Sequence, residues 1–371
     1  MKLIILRDNL KNGLAAVERI VMDNAALPVL RNIFIDVDNG KMKISATNLE
    51  IGINKFINCK IIEKGKITVP LNALRGIISH IDSERVNLET IDQTLIIKTD
   101  SYQANLQGIK ADEFPIIPQV EAKEGDIEMD GGVLKQSLSE IVSAAHISEI
   151  RPEISGVLFD FQITILKLVA TDIFRLAEKT LYDYQFKTSM DRGFKAIIPL
   201  KTIQEIIRMV KDGENVRIKV DENQILFESD NQEIISRLID GQYPDYEQII
   251  PKTIETELIT DRDKFMNAVK LVSSVSDKVV DIKLRAKESG KVLEIYSANH
   301  EVGENSYLVP IKTNGLEFKE ITFNWRYLID SLKVLQGEEV FLGLNGDNRP
   351  TIVKAVNEKS YHYLLMPLKN E

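Results

Sequence analysis

Apolar and polar residues alternate along this chain with two distinct periods. Three segments place apolar residues at i, i+3 or i+4, and i+7, which is the spacing of an amphipathic helix. These predicted helices span residues 10–21, 134–145 and 264–275. Each is followed by a segment in which every second residue is apolar, and this alternation predicts a β-hairpin. The predicted hairpins span residues 33–45, 157–169 and 282–296.

A second set of segments joins a short strand pattern to a helical one. These segments span residues 67–81, 196–210 and 321–335. Pro70 and Pro199 are expected just inside the helix starts, where a missing N–H leaves no hydrogen bond unmade, and Asn324 takes the same place as a candidate N-cap. Further strand patterns complete each copy. In the first copy they span residues 86–90, 94–99 and 102–107.

The same order of elements therefore occurs three times. A short signature follows each hairpin, at intervals of roughly 125 residues. It reads Ala46-Thr47-Asn48, Ala170-Thr171-Asp172 and Ser297-Ala298-Asn299. A period this long is that of a domain, so each copy can hold its own core. With polar linkers at 119–126 and 251–258, the predicted domains span residues 1–121, 122–252 and 253–371.

Composition places the chain among ordinary globular proteins. It has 371 residues, 44% of them hydrophobic, and a formal net charge of −9. This charge argues against a surface that is basic throughout, but it leaves room for a local basic face. The single cysteine, Cys59, cannot form an internal disulfide, which fits a reducing compartment. Without a signal-peptide pattern or an apolar run of ~20 residues, we expect a cytoplasmic protein with no membrane partner.

Basic residues occupy matched positions on the second helices. In the middle copy, Lys201 and Arg208 lie opposite the apolar face. Arg326 and Lys333 take the corresponding positions in the third copy, and Arg75 lies nearby in the first. On the helices alone, an ordinary solvated face is the favoured interpretation. Three similar domains joined head to tail, however, tend to continue around an axis, and such contacts either close into a ring or run on as a filament. A ring would gather these residues on one surface facing a polyanion.

Four short motifs lie along the chain at residues 27–32 (LPVLRN), 170–176 (ATDIFRL), 240–246 (DGQYPDY) followed by Ile250-Pro251, and 363–368 (YLLMPL). With them the chain resembles the bacterial β sliding clamp, the β subunit of the replicative DNA polymerase, over its whole length. Each motif has modest specificity, but all four occur in the order and spacing of the family. The resemblance implies an α+β fold of three repeated processivity-clamp domains, each with two helices and two antiparallel sheets.

The resemblance also implies a function and partners. Two subunits would pair head to tail as a homodimer, and the ring would encircle duplex DNA without reading its sequence. The ring would hold DNA polymerase III and other polymerases on the template, and a clamp loader would open it. The matching contact lies between the first domain of one subunit and the third of the other. Its residues are Ala104 and Leu106 on one side and Leu271 and Val272 on the other.

A further implication is a cleft between the second and third domains, where partner proteins dock a short motif rich in Gln, Leu and Phe. An apolar groove with an adaptable methionine suits such anchors. The matching positions are Ile154, Thr171, Ile173, Phe174, Arg175, Leu176, Pro244, Gln248, Ile249, Tyr327, Leu364, Met366, Pro367, Leu368 and Lys369. We expect Met366, Pro367 and Leu368 to be exposed at the end of the chain. The DNA-facing residues expected are Arg75, Lys201, Arg208, Arg326 and Lys333, with Arg151 in a loop at the pore.

The chain departs from the family at several positions. Ile173-Phe174 stands where the family usually has Gly-His, which predicts a bulkier and less polar cleft wall. Asn24 and Asn72 replace basic residues that are common in the first domain, and Pro152-Glu153 replaces aromatic residues that can touch DNA. We therefore expect weak electrostatic contacts, so that DNA is held mainly by topology.

Nothing in the sequence indicates catalysis. The chain has no P-loop, zincin, serine-hydrolase or Cys-x-x-Cys motif, and its four histidines are scattered singly. Asp172 invites an active-site interpretation, but Asn48 and Asn299 at the same repeat position argue for a turn instead. We expect no enzymatic activity, metal or cofactor. The alternative is a triplicated scaffold or enzyme that does not encircle DNA, and retention on circular but not linear DNA separates the two.

Overall fold

The computed structural model describes residues 1–21, 27–38, 40–120, 125–276 and 280–369, together with the backbone of Ser289. Asn24, one of the family departures, lies outside the described residues, as do residues 121–124 of the first linker. The three copies share one element order: a strand, a helix, five strands, a helix and three strands. The internal repeat found in the sequence is therefore present in the structure.

The helices and strands have the following bounds. The first copy contains β1 (Lys2–Leu6), α1 (Arg7–Val17), β2 (Asn32–Asp38), β3 (Lys41–Thr47), β4 (Ile51–Asn58), β5 (Lys60–Glu63), β6 (Gly65–Pro70), α2 (Leu71–His80), β7 (Arg85–Ile91), β8 (Thr94–Lys98) and β9 (Gln103–Gln107). The second contains β10 (Ile127–Asp130), α3 (Gly131–Ile141), β11 (Gly156–Phe161), β12 (Ile165–Thr171), β13 (Arg175–Tyr182), β14 (Phe186–Thr188), β15 (Phe194–Pro199), α4 (Leu200–Met209), β16 (Asn215–Val220), β17 (Gln224–Ser229) and β18 (Gln232–Arg237). The third contains β19 (Thr256–Asp261), α5 (Arg262–Val272), β20 (Asp281–Lys287), β21 (Val292–Asn299), β22 (Gly303–Pro310), β23 (Lys312–Gly315), β24 (Glu320–Asn324), α6 (Trp325–Val334), β25 (Glu339–Leu344), β26 (Thr351–Ala355) and β27 (Tyr361–Leu365).

The predicted helices and hairpins are confirmed, with shifts at their ends. The first helix of each copy begins two or three residues earlier than predicted, because the opening strand runs directly into it. After α3 and α5 the chain continues as 3-10 turns at Val142–Ala144 and Ser273–Val275, which carry the apolar spacing beyond the α-helices. Pro70 is the N-cap of α2 rather than its first residue. Asn324 caps α6 as predicted, its Oδ1 accepting from the Arg326 N–H at 2.9 Å.

Several strands were not predicted. The sequence pattern indicated one strand between each signature and the second helix, whereas the structure has three, for example β4, β5 and β6. The predicted linker at 251–258 overlaps β19 over residues 256–258, so that part of the prediction was wrong. Thr256, Leu258 and Thr260 form the buried side of this strand. Two of these are threonines, which do not stand out as an apolar alternation.

The strands of the described residues form four sheets. Their orders are β5-β1-β7-β8-β9, β14-β10-β16-β17-β18-β4-β3-β2-β6, β15-β11-β12-β13-β27-β26-β25-β19-β23 and β22-β21-β20-β24. Two of the sheets join neighbouring copies by antiparallel pairing, of β18 with β4 and of β27 with β13. In both cases the last strand of one copy pairs with the strand after the signature in the preceding copy. The edge strands β9 and β22 are of these same two kinds, and neither has this pairing within the described residues.

The chain forms two compact units, which divide the second copy between them. One unit contains residues 1–132, 186–191 and 208–238, and the other contains residues 133–185, 192–207 and 239–371. In the first unit, α1 packs against α2 and against β3 and β4, with Leu10 and Leu14 fully buried. In the second, α5 packs against α6 and β22, with Phe265 fully buried. No helix within the described ranges is both long and apolar enough to cross a bilayer.

Candidate functional site

The turn between β12 and β13 forms one wall of the candidate cleft. The Thr171 hydroxyl donates to the Arg175 carbonyl at 2.7 Å, and the Asp172 carboxylate accepts from the N–H groups of Phe174 and Arg175 at 3.0 Å each. The same positions in the first copy make the same kind of bonds: Asn48 accepts from the N–H groups of Glu50 and Ile51. The signature is therefore a structural turn, as the asparagines in the other copies indicated.

Two exposed apolar side chains stand at the tip of this turn. Ile173 and Phe174 are each 56% exposed. Ile173 has φ of 82°, in the left-handed region that β-branched residues rarely adopt. The bulkier, less polar wall that the sequence predicted is thus solvent-accessible, and it requires a strained backbone.

The C-terminal segment lies against this turn. β27 pairs with β13 so that Leu365 is opposite Arg175, and the Met366 N–H then donates to the Phe174 carbonyl at 2.9 Å. The Leu368 N–H donates to the Thr322 carbonyl at 2.8 Å. Pro367 is buried and its two neighbours are half-buried. The expectation that these three residues are exposed was wrong, because backbone hydrogen bonds hold the segment against the domain.

Arg175 forms ion pairs with carboxylates from two different parts of the chain beside the cleft. Its Nε lies 2.8 Å from Asp172 Oδ2, and its Nη1 lies 2.8 Å from Asp330 Oδ2 on α6. Nη1 also donates to the Tyr363 hydroxyl at 3.3 Å, and the guanidinium carbon lies 4.1 Å from the Tyr327 ring centroid. An arginine fits such a site because its planar fork can bond and stack at the same time.

The charges and burial of this network shift its pKa values. Burial by itself would lower the pKa of Arg175, but the effects of Tyr363 and two carboxylates outweigh it and raise that pKa. Burial also raises the pKa of the Tyr363 and Tyr327 phenols. The network therefore keeps a permanent cation and two neutral phenols next to the cleft, a fixed arrangement rather than a titrating one.

The floor of the cleft is an apolar cluster at the β13–β27 junction. Its buried members are Leu158, Val169, Leu176, Ile197, Tyr243, Tyr246 and Leu364, with Ile239, Ile250 and Ile352 packed against them. Of the fifteen residues predicted for the cleft, the structure buries Ile154, Thr171, Leu176, Leu364 and Pro367. Half-buried are Arg175, Pro244, Tyr327, Met366 and Leu368, and exposed are Ile173, Phe174, Gln248, Ile249 and Lys369. The buried residues form and support the floor. Direct contacts with a bound peptide are therefore expected from the half-buried and exposed residues.

Sequence reasoning missed Asp330 and Ile352. Asp330 occupies a polar position of α6 and looks like an ordinary surface residue. The sequence feature that could have indicated Asp330 is Arg175. A cation beside a buried strand needs anionic partners, and Asp172 supplies only one of them. Ile352 lies on β26, directly opposite Leu364.

Most of the predicted DNA-facing cations have partners within the chain. Arg75 pairs with Glu18, and Arg151 Nε lies 3.1 Å from Glu153 Oε1. Arg326 lies over the Trp325 ring, with 5.3 Å to its centroid. The side chains of these three pairs are partly exposed, so the pairs contribute little to stability. They also remain accessible to a polyanion.

The other three predicted cations differ in their surroundings. Lys333 Nζ lies 3.6 Å from Asp330 Oδ1, and Lys201 is exposed on α4. Arg208 Nη2 donates to the Ala16 carbonyl at 2.7 Å and Nη1 to the Ala15 carbonyl at 3.3 Å. It thus caps the C-terminal end of α1, where a cation is favoured. This structural role was not expected from the sequence.

The predicted dimer residues fall on the unmatched edge strand β9 and on the end of α5. Ala104 and Leu106 are half-buried on β9, and Leu271 at the end of α5 is 54% exposed. Val272 is fully buried in the core of its own chain. As a direct contact residue, Val272 is therefore a correction: it supports the helix end from inside.

Comparisons with protein families give one consistent result. Residues 1–118, 128–245 and 247–369 match the N-terminal, central and C-terminal domains of the DNA polymerase III beta subunit, respectively. Within the described residues, no group of three or more His, Cys, Asp or Glu side chains is placed to hold a metal ion.

Individual proteins are similar over the whole chain. A beta sliding clamp from Bacillus subtilis is 29% identical over 385 residues, with 100% of both chains covered. One from Synechococcus elongatus is 28% identical, covering 100% of this chain and 99% of its own. The crystal structure of the sliding clamp from Bacillus subtilis superposes with a TM-score of 0.94 at 28% identity over 100% of both chains. The DNA polymerase III subunit beta from Pseudomonas aeruginosa does so with 0.93 at 25% identity, again over 100% of both.

Proposed function

Because this chain belongs to the DNA polymerase III β-subunit family of sliding clamps, we propose that it closes into a ring around duplex DNA and tethers polymerases to their template. The predicted α+β fold with repeated clamp domains is confirmed. The proposed domains are 1–121, 122–252 and 253–371. The role is mechanical rather than catalytic, and we place it in the cytoplasm with the DNA that it serves.

The two unmatched edge strands carry this proposal. Inside the chain, the last strand of a copy twice pairs with the strand after the preceding signature, as β18 with β4 and β27 with β13. β9 and β22 are the members of this scheme that have no such partner within the described residues. An edge strand with free N–H and C=O groups favours pairing with another chain. A second copy offers β22 to β9 and β9 to β22, which makes a closed, two-fold homodimer.

The repeat also predicts the register of this contact. Ile53 lies opposite Ile234 in one junction, and Ala177 lies opposite Tyr363 in the other. The residues at the same repeat positions are Asn305 of β22 and Ala104 of β9, so these two should lie opposite each other across the dimer. Both are half-buried, whereas their strand neighbours are exposed.

A carbonyl at the end of each first helix supports the same arrangement. The Ala16 carbonyl accepts from Arg208, and the Glu140 carbonyl accepts from the Tyr361 hydroxyl at 3.2 Å. In both junctions the donor belongs to the following copy. The corresponding carbonyl of the third copy is that of Leu271, which within its own chain accepts from Asn305 Nδ2 on β22 at 3.0 Å and from Ser274 Oγ at 2.7 Å. In a head-to-tail dimer, the partner's first copy would face it, and its Tyr102 stands at the repeat position of Tyr361.

For DNA, we propose topological retention with weak, sequence-independent contacts. The net charge of −9 and the uncharged Asn72 on α2 limit electrostatic attraction. Lys201, Arg326 and Lys333 remain on the outer faces of α4 and α6. Contacts to phosphates position DNA without reading its sequence, which suits a protein that must slide.

For proteins, we propose that the cleft at the β13–β27 junction receives the linear motifs of DNA polymerase III, of other polymerases and of the clamp loader. The apolar floor accepts Leu and Phe anchors, and Met366 adapts to their shape. The Arg175 network fixes the wall beside Tyr327, so little order has to be gained on binding. The exposed Gln248 and Ile249 stand at the rim.

One experiment tests the ring. Light scattering should give the mass of a dimer at micromolar concentration, and protein loaded by the clamp loader should stay on nicked circular DNA in high salt. Cutting that DNA once should release it, because only a topological link is lost when ends appear. A monomeric mass, or equal retention on circular and cut DNA, would contradict encirclement and favour a scaffold or a direct DNA binder.

A further inference from the structure

A cavity lies at the other intrachain junction, where β4 pairs with β18, and we call it the second cavity to distinguish it from the candidate cleft. It has a volume of about 310 Å³ and lies wholly within one compact unit. The residues that line it include Leu49, Glu50, Ile116, Ile117, Ile235 and Arg237. None of these positions belongs to the candidate cleft described above.

This cavity has the same construction as the candidate cleft. The Thr47 hydroxyl donates to the Ile51 carbonyl at 3.0 Å, as Thr171 does to Arg175. Leu49 has φ of 76°, close to the 82° of Ile173 at the same repeat position. The Arg237 N–H donates to the Glu50 carbonyl at 2.9 Å, which repeats the bond from Met366 to Phe174. The turn and the strand end that wall the cleft are thus present a second time.

Apolar side chains are exposed around this second cavity. Leu49 is 49% exposed and Ile116 is 92% exposed, above a floor that contains the buried Ile51 and Ile235. Ile117 forms the side wall. A Cβ on Gly52 would lie 2.7 Å from Ile117 Cγ2, so the small residue at position 52 lets Ile117 pack closely against β4. Exposed apolar groups around a formed cavity are typical of a binding surface.

The charge of the second cavity differs from that of the candidate cleft. Ile51 stands at the position of Arg175, so the Arg175–Asp330 network has no equivalent here. Arg237 stands at the position of Met366; it is exposed, and no ion pair joins it to another described residue. A ligand with a carboxylate complements such a guanidinium, which binds carboxylates in a two-pronged geometry. The exposed Glu50 also lines the cavity, so an acidic ligand has to reach Arg237 on the side away from that carboxylate.

We propose that the β4–β18 junction is a second docking cleft, for a short extended peptide that combines two apolar anchors with an acidic residue. The anchors lie on Leu49, Ile116 and the floor, and the acidic residue pairs with Arg237. The inference rests on the proposed function, because the peptide class follows from the matching architecture of the two clefts. It adds a second partner specificity to each chain, set by charge.

Photo-crosslinking locates the bound peptide directly. The probe is acetyl-Asp-Leu-Ser-Leu-Phe amide with a benzophenone group on the Phe ring, used with the full-length dimer. Mass spectrometry should find crosslinks in residues 47–52 or 116–118 as well as in the 171–176 segment. Leu49→Asp combined with Ile116→Asp should abolish the first set and leave the second. Both substitutions are at exposed positions, and circular dichroism checks that the fold is kept.

Affinity measurements test the charge. With fluorescein on the same peptide and the candidate cleft blocked by Phe174→Asp, Arg237→Glu should weaken binding at least ~10-fold. Arg237→Lys should weaken it less, and a probe with Lys in place of Asp should reverse the preference. Crosslinks confined to the β13–β27 junction, or Arg237→Glu without effect on the acidic probe, would overturn the proposal. Loss of crosslinks at the β13–β27 junction alone would count against the proposed polymerase cleft instead.

Discussion

At the scale of single residues, the backbone conformation of Ile173 leads to a prediction about backbone strain. A β-branched side chain with φ of 82° costs roughly 1–2 kcal/mol, and glycine removes that cost while losing up to ~1 kcal/mol of backbone entropy. Ile173→Gly should therefore leave the free energy of unfolding unchanged or raise it by up to ~1 kcal/mol. Affinity for a Gln-Leu-x-Leu-Phe peptide should fall, because an exposed apolar wall is lost. Urea denaturation and calorimetry measure the two effects.

Leu49→Gly is the matched control, since Leu49 has nearly the same backbone conformation in the first copy. It should change stability in the same direction and leave affinity at the β13–β27 cleft unaltered. A clear loss of stability in both variants would mean that neither turn is strained.

Arg175 makes a second prediction, about a largely buried cation. Arg175→Met removes the partner of Asp172, whose side chain is 8% exposed, and of Asp330. Among the described residues, Asp172 then keeps only its bonds to backbone N–H groups and Asp330 only Lys333, and breaking an ion pair in such a site costs about 3 kcal/mol. The exposed pair of Lys312 and Glu339 is the control, and Lys312→Met should cost less than ~1 kcal/mol. Similar losses for both variants in urea denaturation would show that the Arg175 network adds nothing special.

Lys201 and Lys333 allow the DNA face to be tested without disturbing a helix cap. Both lie in the same compact unit, and Arg208 is left unchanged because it caps α1. Replacing both lysines by alanine should lower loading and sliding on DNA, with an unchanged melting temperature. The effect should be larger at low salt, since screened contacts contribute less. Normal loading of this variant at physiological salt would remove α4 and α6 from the DNA face.

The sequence predicted Arg175 as a site residue but not its role. Its partner Asp330 is 155 residues away, and no local pattern connects the two. The same limit applies to Arg208, which looked like any cation on a polar helix face. Residue identity and helical phase predict which side chains face outward. They do not predict which outward-facing side chains a neighbouring copy will contact.

At the scale of elements, the apolar periodicity of the sequence predicted those helices and strands that bury one regular apolar face. The six helices and three hairpins have a clear apolar stripe or alternation, and the structure confirms them within the described residues. The strands β1, β10 and β19 escaped notice because they are short and run straight into a helix. β19 also buries threonines, which carry little apolar signal.

The junction strands make a prediction about pH. His362 on β27 lies opposite Glu178 on β13 and is half-buried, and its Nε2 is shielded from solvent and has no hydrogen-bond partner among the described residues. Burial lowers the pKa of His362 below its ordinary 6.5; Glu178 opposes this shift, and Lys354 and Lys167 add to it. The unfolded chain then binds the proton more readily than the folded one. The contribution of His362 to stability is therefore fully present above pH ~6.5 and is lost as the pH falls through the lower folded pKa.

His362→Gln isolates this contribution. Between pH 7.5 and 5, the melting temperature of the wild type should fall more steeply than that of the variant. The exposed His80 provides the control: His80→Gln should leave the wild-type slope unchanged. Parallel slopes for wild type and His362→Gln would assign the acid sensitivity to the carboxylates instead.

At the scale of the whole molecule, the repeat in the sequence predicted three copies but not how the copies share cores. The structure divides the second copy between two compact units, because its two groups of strands continue into the sheets of different neighbours. Pairing of β18 with β4 and of β27 with β13 depends on edge strands with no distinctive sequence. The two junctions together show that the last strand of a copy pairs with the strand after the signature of the preceding copy. By this rule β9 and β22 are left unmatched within the described residues.

That rule gives a prediction that can be tested by covalent closure. Ala104→Cys and Asn305→Cys, placed in a Cys59→Ser background, should lie opposite each other across the dimer. Directly opposite residues of antiparallel strands have Cβ atoms about 5 Å apart, close to what a disulfide needs. Oxidation should therefore give a covalent dimer on a non-reducing gel.

The ring can also be oxidised after it has been loaded on nicked circular DNA. It should then stay on the DNA through detergent treatment and leave when the DNA is cut or the disulfides are reduced. The control pair is Ala104→Cys with Glu304→Cys, since a slip of one residue turns the side chain to the opposite face of the strand. Equal crosslinking of the two pairs would contradict the register, and no crosslinking of either would contradict the pairing of β9 with β22.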